Sequence, residues 1–115
     1  MRGRLGDKVR LQHSIEAIQE IENYLNAVDY DQFMSNSMMR FACIKQLEIV
    51  GEASNHISDD IKSRFIEIKW AQIIGMRNIF VHQYFGVDYT LIWEIINNDL
   101  PALKIKMIEI LDAIE

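Results

Sequence analysis

Apolar residues recur at three- and four-residue intervals along most of the chain. Leu11, Ile15, Ile18, Ile21, Leu25 and Val28 follow steps of four, three, three, four and three, which places them on one face of a helix. Gln12, Glu16, Gln19, Glu20 and Asn23 cover the other side, with His13 among these polar positions. The spacing predicts a first helix from Gly6 or Asp7 to Ala27. Asp29-Tyr30-Asp31 reads as a break, with Asp31 capping a short turn through Met34. A second helix is expected from Ser35 or Asn36, both good caps, to about Ile57. Its apolar residues (Met38, Phe41, Ala42, Leu47, Ile49, Val50, Ala53 and Ile57) spread over more than one face, as in a helix central to a bundle. Gly51 falls in its interior, where glycine costs about 1 kcal/mol relative to alanine. The expected compensation is close approach of another helix at Gly51-Glu52-Ala53. Glu52 and His56 are four apart and share a face, the spacing of an intrahelical pair.

Ser58-Asp59-Asp60-Ile61 is a cap followed by acids, which predicts a short helix to Arg64 or Phe65. A third long helix is expected from Lys69 or Trp70, ended by Gly86 as a left-handed cap. Asp88 then caps a short helix through about Asn97, with Leu91, Ile92, Ile95 and Ile96 inward. Asp99-Leu100-Pro101 starts the last helix, since proline is tolerated in a first turn. Leu103, Met107, Ile110, Leu111 and Ile114 form its apolar stripe. The expected architecture is an all-α, up-and-down bundle of four main helices with additional short ones, in a single domain over residues 1–115.

Composition narrows the function classes. Half of the residues are hydrophobic and 25% are charged, as in a globular protein with a core of its own. No apolar run reaches 18 residues, so no membrane span is expected. Basic residues near the start (Arg2, Arg4, Lys8, Arg10) are not followed by an apolar segment, so no secretory signal is expected. The single cysteine, Cys43, excludes an internal disulfide framework and fits a reducing cytoplasm. Its apolar surroundings mark it as a small buried hydrophobe. No Glu-x-x-His pairs of the di-iron bundle type occur, and neither metal nor cofactor is expected. The net charge of −5 runs against a dedicated nucleic-acid binder, whose affinity comes largely from phosphate neutralisation. RNA contact would need a local basic surface. Residues 1–10 are one candidate or else a solvated, frayed terminus. An acidic surface equally suits a basic protein partner.

The candidate chemistry is concentrated in Gly75-Met76-Arg77-Asn78-Ile79-Phe80-Val81-His82-Gln83-Tyr84-Phe85-Gly86-Val87-Asp88. Arginine, asparagine, histidine and tyrosine are threaded through an apolar segment, where an unpartnered polar group costs a few kcal/mol. On a regular helix Arg77 and His82 diverge by roughly 140°. Asn78 and His82 share one edge, and Arg77 and Tyr84 share another. One helix alone would not easily bring Arg77 and His82 onto one group. A kink could, and so could a two-fold axis, which presents each residue twice. Two arginines and two histidines in one cleft suit phosphodiester chemistry. Histidine exchanges protons near neutral pH, arginine holds phosphate and developing charge, and RNA supplies its own 2′-hydroxyl nucleophile. Alternatively, these side chains are structural and bond to neighbouring carboxylates such as Glu52 or Asp88.

The run Trp70…Ile73-Ile74-Gly75-Met76-Arg77-Asn78-Ile79-Phe80-Val81-His82-Gln83-Tyr84-Phe85-Gly86-Val87-Asp88, followed by Trp93 and Asn98-Asp99-Leu100-Pro101, resembles the HepT-like toxins of the HEPN superfamily. Their Arg-x4-His-x-Tyr signature is met by Arg77, His82 and Tyr84. Gly51-Glu52-Ala53 and Ile57-Ser58 resemble the family's second helix, and the likeness extends from about residue 5 to 103. The resemblance implies a HEPN-like helical bundle forming a homodimer, with Arg77 and His82 catalytic and Asn78 supporting. It implies a metal-independent endoribonuclease acting as the toxin of a toxin–antitoxin pair of type II or type VII character. It further implies an MNT-type nucleotidyltransferase antitoxin that places AMP on Tyr84. The competing reading is a non-catalytic module, or accessory subunit, that docks such a nucleotidyltransferase.

Overall fold

Leu11, Ile15, Ile18 and Ile21 are buried along one side of α1, Gly3–Tyr24, as their spacing predicts. The computed structural model describes residues 3–79 and 86–114. The helix stops three residues before the expected Ala27. Asn26 N–H donates to the Asn23 carbonyl and Ala27 takes a φ of 59°. A left-handed residue ends a helix and turns the chain, here on a side chain that costs roughly 1–2 kcal/mol in that conformation.

The next helix, α2 (Tyr30–Ser35), is capped by Asp29 and not by the expected Asp31. Asp29 Oδ1 accepts from Gln32 N at 2.8 Å, and Gln32 Oε1 accepts from Asp29 N at 2.9 Å. This reciprocal capping box satisfies two otherwise orphaned donors, an option that Asp31 lacks. Asn36 then caps α3 (Ser37–Asn55) through Met39 N, as expected. Cys43, Ile44, Leu47, Val50, Gly51, Ala53 and Ser54 are its buried residues. α3 packs against α1 on one side and against α5 (Trp70–Gly75) on another, which makes it the central helix. Burial holds the Cys43 thiol protonated by pushing its pKa up to about 11. Met38 and Phe41, expected inward, are 81% and 49% exposed. Phe41 falls in line with Lys45, Glu48 and Glu52 on the outer face, while the inward stripe steps through Arg40, Cys43 and Ile44.

Ser58 caps α4, Asp59–Arg64, and is itself held by α1. Asp7, 4% exposed, accepts from Ser58 N and from Ser58 Oγ, both at 2.7 Å. Two hydrogen bonds to one buried carboxylate tie the start of the first helix to the start of the fourth. Asp7→Ala is expected to lower stability by about 1–3 kcal/mol, because it leaves both donors without their acceptor. Urea denaturation measures this, and an unchanged midpoint would show that the tie contributes nothing.

After α5 the chain tightens into a 3-10 turn, Met76–Asn78. Gly86, expected as a left-handed cap, has a φ of 152°, a positive value that glycine tolerates but far from the ~57° of such a cap. Asp88 caps α6 (Tyr89–Glu94), with Oδ1 accepting from Leu91 N at 3.1 Å. The last helix begins at Leu100, as Asp99-Leu100-Pro101 predicts, but with no gap before it. A π turn, Ile95–Asp99, carries the helix straight into α7 (Leu100–Ile114). Leu100 N–H donates to the Ile95 carbonyl five residues back, and the wider turn immediately precedes Pro101, which has no N–H to give. In α6 Ile92 is buried, but Leu91 is 50% exposed, contrary to its expected inward position.

A hook of aromatic residues fastens α2 to α6. Phe33 is fully buried, with its ring centroid 5.1 Å from that of Trp93. Tyr30 meets Trp93 edge-on at 5.9 Å, and its hydroxyl shares a 2.8 Å hydrogen bond with Thr90 Oγ1. Arg40 donates to the Phe33 and Met34 carbonyls and lies 4.5 Å over the Tyr89 ring. The buried apolar side chains form one cluster, centred on α1, α3 and α7. The fold is an all-α bundle, with no strand among the described residues. No helix among them is long and apolar enough to cross a membrane.

Candidate functional site

Gly51 lets the main chain of Arg77 lie directly on α3. A Cβ at Gly51 would stand 2.5 Å from Arg77 N, 2.9 Å from Ile73 O and 3.1 Å from Arg77 Cα. These are backbone atoms and cannot swing aside, so the close approach expected at Gly51 exists and its partner is the candidate arginine itself. Arg77 is thereby fixed at its root while its side chain remains 34% exposed.

Among the described residues the guanidinium faces one carboxylate. Arg77 Nη1 lies 3.9 Å from Glu52 Oε2, an ion-pair distance too long for a hydrogen bond. Glu52 Oε1 lies 2.8 Å from His56 Nε2, the intrahelical pair expected from their spacing. Glu52 was one of two carboxylates expected near the polar stretch. The other, Asp88, caps α6. At this exposure the Arg77–Glu52 pair contributes about 0–1 kcal/mol to stability.

Asn78 belongs to a different surface. With Gln72, Gly75, Asp88, Ile92 and Ile95 it lines an open groove of about 440 Å³ between α5 and the α6–π segment, and Arg77 does not line that groove. Arg77 and Asn78 are thus presented on different surfaces. His82 and Tyr84 lie outside the described residues, and so do the edges they complete. The 140° divergence assumed a regular α-helix from Arg77 onward, whereas Arg77 sits in a 3-10 turn of three residues per turn. The angle itself involves His82, outside the described residues. Among the described residues no group of three or more histidine, cysteine, aspartate or glutamate side chains gathers as a metal-ligand set.

Residues 14–110 match a family described as HepT-like, ribonuclease HepT-like. The chain belongs to the HepT-like ribonuclease family. Its relatives include a Methanocaldococcus jannaschii protein named "Putative RNase MJ1380", 40% identical over 90% of this chain and 94% of the relative. Another is "Probable ribonuclease HepT" of Thermococcus cleftensis, 38% identical over 84% of this chain and 87% of the relative. A third, "Putative RNase MJ1216", is again from Methanocaldococcus jannaschii, 33% identical over 94% and 89% of the two chains. No solved structure matches this HepT-like chain. Within the matched span lie Arg77 on its Gly51 seat, the Glu52–His56 pair and the Asn78 groove.

Two contributors to this HepT-like site differ in how visible they are in sequence. Gly51 is legible as a costly glycine inside a helix. The specific contact of Glu52 with Arg77 is not, because it joins residues 25 positions apart on different elements.

Proposed function

We propose that this HepT-like chain is a single-domain, metal-independent endoribonuclease acting in the cytoplasm as the toxin of a toxin–antitoxin pair. Its site is composite, with Arg77 and His82 of two copies facing one cleft in a homodimer. The observation that carries this reading is the placement of Arg77, rooted against α3 through Gly51 yet with a part-exposed guanidinium 3.9 Å from the Glu52 carboxylate. At 3.9 Å Glu52 takes no hydrogen bond from the guanidinium, whose planar fork of donors suits a phosphate.

Arg77 holds the scissile phosphodiester and stabilises the charge that develops on its oxygens. The RNA 2′-hydroxyl attacks the adjacent phosphorus as the P–O5′ bond breaks. His82 of one copy takes the 2′-hydroxyl proton, and His82 of the other supplies one to the departing 5′-oxygen. The products are a 2′,3′-cyclic phosphate and a free 5′-hydroxyl. Asn78, on the neighbouring groove, supports the bound strand. Tyr84 is the acceptor of AMP from an MNT-type nucleotidyltransferase antitoxin, and an added anionic nucleotide there would neutralise and crowd the cleft.

Cleavage of tRNA and mRNA by the purified protein in EDTA tests the reading. Wild type is expected to cut, and Arg77→Ala and His82→Ala are not. Intact wild-type RNA, or equal cleavage by His82→Ala, would sink it. Co-expression with the nucleotidyltransferase should add the mass of AMP to wild type and not to Tyr84→Phe. The net charge of −5 favours a second reading, a module that docks the nucleotidyltransferase without touching RNA. Growth inhibition by the chain alone, abolished by Arg77→Ala, would count against that module.

A further inference from the structure

Consecutive residues of α3 meet the same arginine in two different ways. Gly51 receives its main chain, with Arg77 N only 2.5 Å from where a Cβ would stand. Glu52 faces its side chain, with Oε2 3.9 Å from Arg77 Nη1. One helical turn later His56 Nε2 takes the other carboxylate oxygen at 2.8 Å. A glutamate on an exposed helix face ordinarily samples several rotamers. This one is held from behind, with one oxygen engaged by histidine and the other directed at the guanidinium.

We propose that Glu52 is the positioning residue for Arg77, aligning its guanidinium for the phosphate in the RNA-cleaving site, and that His56 fixes Glu52 for that task. The inference rests on the ribonuclease reading above. Exposed pairs of this kind add little to stability, so stability gives no reason for the arrangement. Its geometry gives one. The 3.9 Å contact restrains the arginine by Coulomb attraction without occupying its hydrogen-bonding fork. An arginine restrained before substrate arrives has less freedom to lose when it grips a phosphate and when charge develops there. Glu52 also places a negative charge near the approaching phosphate, so its contribution belongs to the chemical step and not to RNA affinity.

Glu52→Gln tests this, since it keeps the shape and a hydrogen-bonding oxygen for His56 while removing the charge. In the RNA cleavage assay kcat is expected to fall roughly 10- to 100-fold. KM should stay level or decrease, and the urea midpoint should not move. The second readout is the 15N heteronuclear NOE of the Arg77 Nε–H, assigned by its absence in Arg77→Lys, which should drop in Glu52→Gln as the side chain loosens. His56→Ala should move both readouts in the same direction by a smaller factor. If wild type cleaves RNA and Glu52→Gln keeps its kcat, or lowers it with an unchanged NOE, the positioning role is overturned while the ribonuclease reading stands. If wild type leaves RNA intact in the same assay, both fall together.

Discussion

Gly51→Ala is expected to destabilise the protein by about 1–3 kcal/mol and to lower RNA cleavage by roughly 10²-fold. The sign is the informative part. Inside an ordinary helix the same exchange stabilises, because alanine is the better helix former by about 1 kcal/mol. Here the new methyl group would meet Arg77 N at 2.5 Å and Ile73 O at 2.9 Å, and both belong to the backbone of the facing segment. Either α3 or the 3-10 turn must move. Moving the turn displaces the root of Arg77 relative to the carboxylate that faces it. Urea denaturation and the cleavage assay measure the two effects independently. A variant as stable and as active as wild type would show that the two elements separate without consequence.

Phe33→Ala is expected to cost about 3–5 kcal/mol, the range for emptying a fully buried aromatic site. The six residues of α2 bury a single side chain, Phe33, and that ring packs 5.1 Å from Trp93. Tyr30 and Arg40 reach α6 from the same region, but both work through partly exposed contacts. Without the Phe33 ring they have little to hold α2 against the helix that follows Asp88. Denaturation followed by circular dichroism gives the loss directly, and a cost below about 1 kcal/mol would mean that the site collapses around the missing ring.

The helical class was legible because the chain repeats its apolar residues with helical spacing and marks its helix starts with side-chain caps. Asn36, Ser58 and Asp88 all cap the helices that their positions announce. Reading went astray where two signals competed at short range. Asp29 and Asp31 are both plausible caps, and the decision fell to Gln32, which can reciprocate with only one of them. Leu100-Pro101 marks the start of the last helix correctly, but nothing in it announces the π turn that joins this helix to the one before. Met38 and Phe41 count toward the apolar faces of α3 by hydrophobicity alone, yet they are 81% and 49% exposed. Long-range polar contacts were the least legible. Nothing local to Asp7 announces Ser58, 51 residues away. At the site, Arg77 stood out as an arginine in an apolar run. The means of holding it were only half visible, as a glycine with an unexplained cost and a glutamate-histidine pair with an ordinary explanation.

The main chain and the side chain of residue 77 have separate assignments. The first is packed against α3, and the second projects outward beside Glu52. Shortening the arginine therefore removes its guanidinium without unseating the turn. On the proposed toxin reading, such a variant is a practical reagent: a folded, silent copy that cells can carry in quantity, and a bait with which the proposed RNA and nucleotidyltransferase partners are sought.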